Sequence, residues 1–142
     1  QKFDTTLITT KETWALVDQN KRAGILGTYG ILSDQSPMVK KALLWTSFMG
    51  ITVPAHTGAE TLCRKLDLAA VYLKVNKIKR GHYHGSFKLI TEHAKEMKRF
   101  ELTESFLKMT EESIKEAPEY YLWTHKRWKH MGKTPRTSKQ NQ

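Results

Sequence analysis

The chain reads as an α/β protein, and three stretches predict that class. Ala23-Gly24-Ile25-Leu26-Gly27-Thr28-Tyr29-Gly30-Ile31-Leu32 is an apolar run punctuated by glycines. Its length and isoleucine content predict a strand buried on both faces, as in parallel sheets. Thr57-Gly58-Ala59-Glu60 has the spacing of a capping box, with Ala59, Leu62, Cys63 and Leu66 following at i, i+3, i+4 and i+7. That pattern predicts an amphipathic helix of about two to three turns. Val71, Leu73 and Val75 then alternate with Tyr72 and Lys74, giving a strand with one polar face. Tyr83, Phe87 and Leu89 continue beyond the basic turn Asn76–Gly81, which predicts an antiparallel hairpin.

The other elements are weaker in outline. Gln1 to Leu7 alternates slightly; Thr9, Thr10, Glu12 and Thr13 then look like a helix start, with Trp14, Leu16 and Val17 as its apolar face. After Leu32 the chain turns polar in Ser33-Asp34-Gln35-Ser36-Pro37. Met38 to Ala55 is aperiodic and aromatic, and is expected to be a loop region. A later helix is expected with Leu102, Phe106, Met109 and Ser113 or Ala117 on one side, ending near Pro118. Glu119 to His130 is dense in aromatic and basic residues, and residues 132–142 are expected to form a basic flexible tail.

Composition bounds the partners more than the fold. The 142 residues suit one domain with a sizeable core. An apolar share of 39% fits a polar surface with a solvated tail, or part of a larger fold. Twenty-four Lys and Arg against 14 Asp and Glu give a formal charge of +10, which draws anionic partners of any kind. Cys63 is the single cysteine, so no intrachain disulfide can form and a cysteine-based zinc site is disfavoured. No metal or cofactor is expected. No apolar run reaches the roughly 20 residues of a membrane span, so the chain itself is expected to be soluble or peripheral. Because it begins with Gln1 rather than Met, it is expected to be processed or cut from a longer protein.

Several residues carry two readings. Asp34 ends a run expected to be a buried strand, where ligands of open α/β sheets bind; the same Ser-Asp-Gln-Ser-Pro segment also suits a purely local turn. His82 and His84 share a strand face, as metal ligands can, but a third ligand is missing and a solvated edge is the simpler use. His56 and Glu60 are one helical turn apart and suit capping. Cys63 lies on an apolar stripe and reads as a small buried hydrophobe. Tyr120, Trp123 and Trp128 are expected to pack, with Lys126, Arg127 and Lys129 outside. The alternatives for that segment are phosphate contact, for which arginine is favoured, or stacking with single-stranded nucleic acid.

Four pieces in order resemble a known family. They are Ile31-Leu32-Ser33-Asp34-Gln35, Phe48-Met49-Gly50, Val53-Pro54-Ala55-His56-Thr57-Gly58, and a closing Pro118-Glu119-x-Tyr121-x-Trp123-x-His125-x-Arg127-x-Lys129. Together they resemble the C-terminal part of the bacterial lipid A biosynthesis acyltransferases, the lauroyl- and myristoyl-type members of the lysophospholipid acyltransferase superfamily. The likeness spans roughly residues 25–130 and is most specific in the closing motif.

The resemblance implies a mixed sheet flanked by helices, the C-terminal half of an α/β sandwich, with residues 1–131 as part of one acyltransferase domain. It implies transfer of a fatty acyl chain from acyl carrier protein to a hydroxyl of a phosphorylated glycolipid, a lipid A precursor. An anionic membrane surface is a further implied partner, and the location implied is the cytoplasmic face of the inner membrane. Nucleic acid is not expected in this reading; a basic RNA-binding module or a non-catalytic membrane-surface domain is the alternative. Asp34 is implied to support the catalytic site. Gln35, Phe48, Gly50, Thr57 and Gly58 are implied substrate-binding positions, and Lys126, Arg127 and Lys129 are implied contacts to phosphate or carrier protein.

Two departures from the family pattern stand out. Catalysis there uses a His-x4-Asp/Glu pair, in which the histidine takes the acceptor's proton, worth roughly 10²–10⁴-fold. The fifth residue after each histidine here is Thr61, Phe87, Leu89, Lys98, His130 or Pro135. The pair is absent; in the family it precedes the Asp-Gln segment, so it is expected upstream of Gln1 and the chain alone is expected to be inactive. Val71-Tyr72 also replaces a frequent Val-Pro.

Overall fold

A computed structural model describes residues 5–133; positions 1–4, and most of the expected basic tail from 134 onward, lie outside the described residues. The chain forms two compact units, Gln1–Ile31 and Leu32–Gln142.

The first unit is built on α1 (Thr10–Arg22), the helix expected from Thr9 and Glu12. The Glu12 carboxylate accepts hydrogen bonds from the Thr9 hydroxyl at 2.6 Å and the Thr9 N–H at 3.1 Å. Those two bonds, the side-chain one first, hold its pKa below the ordinary glutamate value. Asp18 and Arg22 pair at 2.8 Å one turn apart. Gly24, at φ +68°, then turns the chain out of the helix.

The buried strand expected over Ala23–Leu32 does not form. Residues 25–33 are irregular, and Leu26 is 97% exposed. A strand buried on both faces needs a neighbour along each edge. The four strands among the described residues pair only within two local hairpins, and none of them pairs with this run. The α/β class holds, as two small antiparallel sheets with helices around them, but no single mixed sheet forms.

The second unit opens with β1 (Leu44–Phe48) and β2 (Ile51–Ala55), a hairpin where a loop was expected. Phe48 pairs with Ile51, leaving Met49 and Gly50 as a two-residue turn. Both have positive φ, 52° and 77°, the requirement of the turn whose twist matches a hairpin. The Met49 N–H donates to Glu111 Oε1 at 2.7 Å, which fixes the strained residue. Leu44, Phe48, Val53 and Ala55 form the core with Leu107 and Ile114.

The helix read from Thr57 onward is α2 (Gly58–Leu66), but its cap differs from the expected box. Thr57 makes no side-chain cap, and Glu60 is buried and turned away. It accepts hydrogen bonds from the backbone N–H of Phe100 and of Thr103, the latter at 3.0 Å, and from the Thr103 hydroxyl at 2.7 Å. These groups open α3 (Glu101–Glu116). A carboxylate there satisfies orphan donors and meets the positive end of the helix dipole. Glu60 caps its neighbour, not its own helix.

The expected hairpin is β3 (Ala70–Lys79) and β4 (His82–Thr91), turning at Arg80 and Gly81. Its polar face is the covered one. Tyr72 packs edge-on against Phe106 and shares a 3.0 Å hydrogen bond with Ser113, and Lys74 pairs with Glu116. Val71, Leu73, Val75, Phe87 and Leu89 lie on the opposite, exposed face. His82 and His84 stand exposed on β4.

The membrane side of the resemblance is corrected. No helix among the described residues is long and apolar enough to cross a membrane. The longest, α3, has 16 residues and carries five glutamates and two lysines in its sequence ELTESFLKMTEESIKE. The expected inner-membrane location is withdrawn. The fold itself establishes a general α/β arrangement, with nothing specific to acyl transfer or to the lipid A pathway.

Two measurements check this packing. Glu60→Ala strands the N–H groups of Phe100 and Thr103, and an unsatisfied buried donor costs about 1–3 kcal/mol; urea unfolding should show a loss of about 3 kcal/mol, with Glu60→Gln falling between. Burial and the nearby Glu60 raise the Cys63 thiol pKa. A disulfide reagent near pH 8 should therefore label native Cys63 roughly 10-fold or more slowly than the unfolded chain.

Candidate functional site

The densest polar cluster of the second unit surrounds Arg127. Expected outside with its basic neighbours, Arg127 is instead 1% exposed and the largest fully buried side chain among the described residues. Its Nη1 donates to Pro54 O at 2.8 Å and to Ser36 Oγ at 3.0 Å. The Ser36 hydroxyl in turn donates to Arg127 O at 2.8 Å, closing a reciprocal clasp. The guanidinium also lies over the Phe48 ring, 5.2 Å from its centroid. Its Nε and Nη2 are buried and have no hydrogen-bond partner.

Local sequence explains how each part arrives. The Ser33–Pro37 segment runs past the cluster, and the Ser36 N–H donates to His125 Nε2 at 2.9 Å. A neutral His125 that accepts at Nε2 carries its proton on Nδ1. His125 is thus a latch between segments 89 residues apart. Lys126 adopts left-handed backbone at φ 51°, which reverses the chain so that Arg127 points inward while Lys126 and Lys129 stay exposed. Pro54 lies on β2 opposite Trp45, and its carbonyl accepts from the arginine.

Aromatic rings brace the cluster. Trp128 stacks on Phe48 and on Trp123, each at 5.7 Å between centroids, and Tyr121 meets Trp123 edge-on at 5.1 Å. Trp128 Nε1 donates to Phe48 O at 3.3 Å. Trp123 and Trp128 pack as expected, whereas Tyr120, expected to pack with them, is exposed.

Electrostatics tie Tyr121, Asp34 and His56 to the guanidinium. Burial lowers the Arg127 pKa, against which Tyr121 and Asp34 act. Burial raises the Tyr121 pKa, opposed by Arg127 and reinforced by Asp34. Desolvation lowers the His56 pKa, with Arg127 and then His125 acting in the same direction. Asp34 is half-buried beside this group, in the polar turn that brings Ser36 to the arginine.

The expected site residues divide accordingly. Asp34, Phe48 and Arg127 come together; Gln35 is exposed beside them. Gly50 occupies the hairpin turn, Gly58 begins α2, and Lys126 and Lys129 face outward. Ser36, His125, Tyr121 and the Pro54 carbonyl were not singled out as partners of Arg127. No periodicity could have found them, because Trp123–His125 forms a short 3-10 helix and Lys126 then turns left-handed.

A second concavity lies on the α2 and α3 side, a cleft of about 300 Å³ lined in part by Thr57, Arg64, Lys95 and Arg99. Among the described residues no group of three or more His, Cys, Asp or Glu is arranged to hold a metal ion. The class of protein defined by these features is an α/β chain with a clasped internal arginine next to a basic cleft. No family model, curated protein or solved structure matches the chain.

Arg127→Met should lower stability by about 2 kcal/mol in urea unfolding, since two charge-assisted hydrogen bonds are lost while one buried charge is relieved. Arg127→Lys should rescue little, because an ammonium cannot reproduce the planar fork. In folded Arg127→Met, NMR titration should show the His56 pKa moving upward. Removing a nearby positive charge favours the imidazolium.

Proposed function

We propose that this chain is the C-terminal part of an acyltransferase that moves a fatty acyl chain from acyl carrier protein to a hydroxyl of a phosphorylated glycolipid of the lipid A precursor type. One observation carries the reading. Ser36, beside the Asp-Gln pair, is clasped to His125 and Arg127 of the closing motif across about 90 residues of chain. The two motif pieces that carry the resemblance are physical neighbours, as members of one site would be.

In this reading Asp34 and Arg127 form a supporting layer. The buried guanidinium has two unused donors, suited to a carboxylate or to the oxyanion that develops in acyl transfer. Asp34 balances the buried charge and positions it. No His-x4-Asp/Glu occurs in these 142 residues, so the reading gives Asp34 and Arg127 a supporting role only. An α/β sandwich completed by further strands would give the exposed apolar face of β3 and β4 a cover.

The test is acyl transfer by the full-length protein, with acyl carrier protein as donor and a diphosphorylated diglucosamine lipid as acceptor. Asp34→Ala should lower kcat about 100-fold with the fold intact, the scale of a misplaced catalytic group. Asp34→Asn should recover part of it. Full activity in Asp34→Ala removes the residue from the mechanism. No transfer by the wild type, together with tight and steeply salt-dependent binding of single-stranded RNA, supports the alternative instead.

A further inference from the structure

We propose that the Ser33–Pro37 turn is held by a pH-operated latch, which opens when His125 takes up a proton. Residues 33–38 belong to no helix or strand, so contacts from other segments hold them. Two of these meet at Ser36: its N–H donates to His125 Nε2 at 2.9 Å, and its hydroxyl lies in the Arg127 clasp. A third falls on Pro37, which is buried and hydrogen-bonded through its backbone to His130. Proline has no N–H, so its carbonyl accepts and the imidazole donates.

The two histidines respond oppositely to acid. His130 keeps its donor when protonated, and the Pro37 bond survives. His125 must offer a lone pair at Nε2; protonation replaces it with a second N–H aimed at the Ser36 N–H. The bond is lost and two donors then face each other. The cationic groups gathered here are Arg127 and, from the end of β2, His56, with Lys129 and Lys133 acting on His130. Tyr121 is the phenol beside Arg127, and Asp34, on the turn itself, is the carboxylate that acts on both.

The surroundings set the sign of the pH dependence. Burial lowers the His56 pKa from its ordinary 6.5, with Arg127 and then His125 in the same direction. Burial lowers that of His130 too, as do Lys133, Lys129 and Arg127, against the Pro37 bond. Both rings resist protons while the turn is closed and accept them more readily once it opens. Opening therefore takes up protons, and the closed turn loses stability as pH falls through 6.5 and below. With the turn gone, Arg127 loses the Ser36 hydroxyl and the field of Asp34, keeping the Pro54 carbonyl and the Phe48 ring. The latch rests on hydrogen-bond geometry and holds whether or not the chain serves acyl transfer.

Hydrogen exchange of the full chain, followed by NMR at about pH 7.5 and about pH 5.5, tests it through the protection factor of the Ser36 amide. Loss of one hydrogen bond is worth roughly 10-fold, so protection in the wild type should fall by about that factor in acid. His125→Gln keeps an acceptor, Oε1, that no proton removes in this range, and its Ser36 protection should stay constant. His125→Phe should show the low value at both pH values. In the wild type, which needs no variant to fold, the Ser36 amide shift should move in step with the His125 ring signals. Ser36 protection that is equal at both pH values overturns the inference. So does a fall as large in His125→Gln as in the wild type, or a His125 titration to which the Ser36 amide does not respond. No transfer assay enters the readout, so failure of the acyl-transfer reading leaves this one standing.

Discussion

The second unit depends on a charge held where charges are costly. Removing a guanidinium from water carries a penalty of several kcal/mol after relaxation, which contacts inside the protein must offset. Arg127 obtains two hydrogen bonds from one nitrogen, an aromatic face from Phe48 and a favourable field from Asp34 and Tyr121. Each of these comes from a different segment of sequence. The arginine can be buried only when the Ser33–Pro37 turn, the hairpin strand β2 and the aromatic segment are all in place. This makes its burial a condition on their assembly, and it ties down residues 117–133, among which the regular elements are two short 3-10 helices.

Glu60 plays the complementary part on the other side of the hairpin. A carboxylate at a helix N-terminus satisfies donors that the helix cannot satisfy itself. Placed on α2 but spent on α3, it locks two helices together through polar bonds where apolar contact alone would tolerate sliding. The consequence is local and opposite in sign. The start of α2 loses its acceptor, and Arg64 stands 3.8 Å from a carboxylate already engaged by α3. The basic cleft is the electrostatic remainder of that packing choice.

Much of the secondary structure was legible in the sequence. Periodicity located α1, α2, α3 and the β3–β4 hairpin, because each has a pattern its own residues enforce. The misreadings came from partners that no local pattern reveals. The glycine-punctuated run 23–32 has the composition of an interior strand, but composition does not supply neighbouring strands. The β1–β2 hairpin was obscured by Trp45 and Pro54, although Leu44, Thr46 and Phe48 alternate and Met49-Gly50 marks the turn. Alternation likewise identified β3 as a strand without saying which face is covered. At the site, Asp34 and Arg127 were visible as residues, whereas the inward turn at Lys126 and the clasp through Ser36 are properties of the fold.

The end of β2 links the two electrostatic features. Pro54 gives its carbonyl to Arg127, His56 has its proton affinity lowered by that same charge, and Thr57 lines the basic cleft. Four consecutive residues therefore pass from a buried cation to a surface concavity of the same sign. Charges of one sign that are close together destabilise a fold unless packing or a ligand compensates them. The arginine side is compensated internally, by the clasp and by Asp34. On the cleft side Glu60 faces Arg64 at 3.8 Å while its oxygens accept from Phe100 and Thr103. The arginine site is where geometry, already fixed, can be put to chemical use.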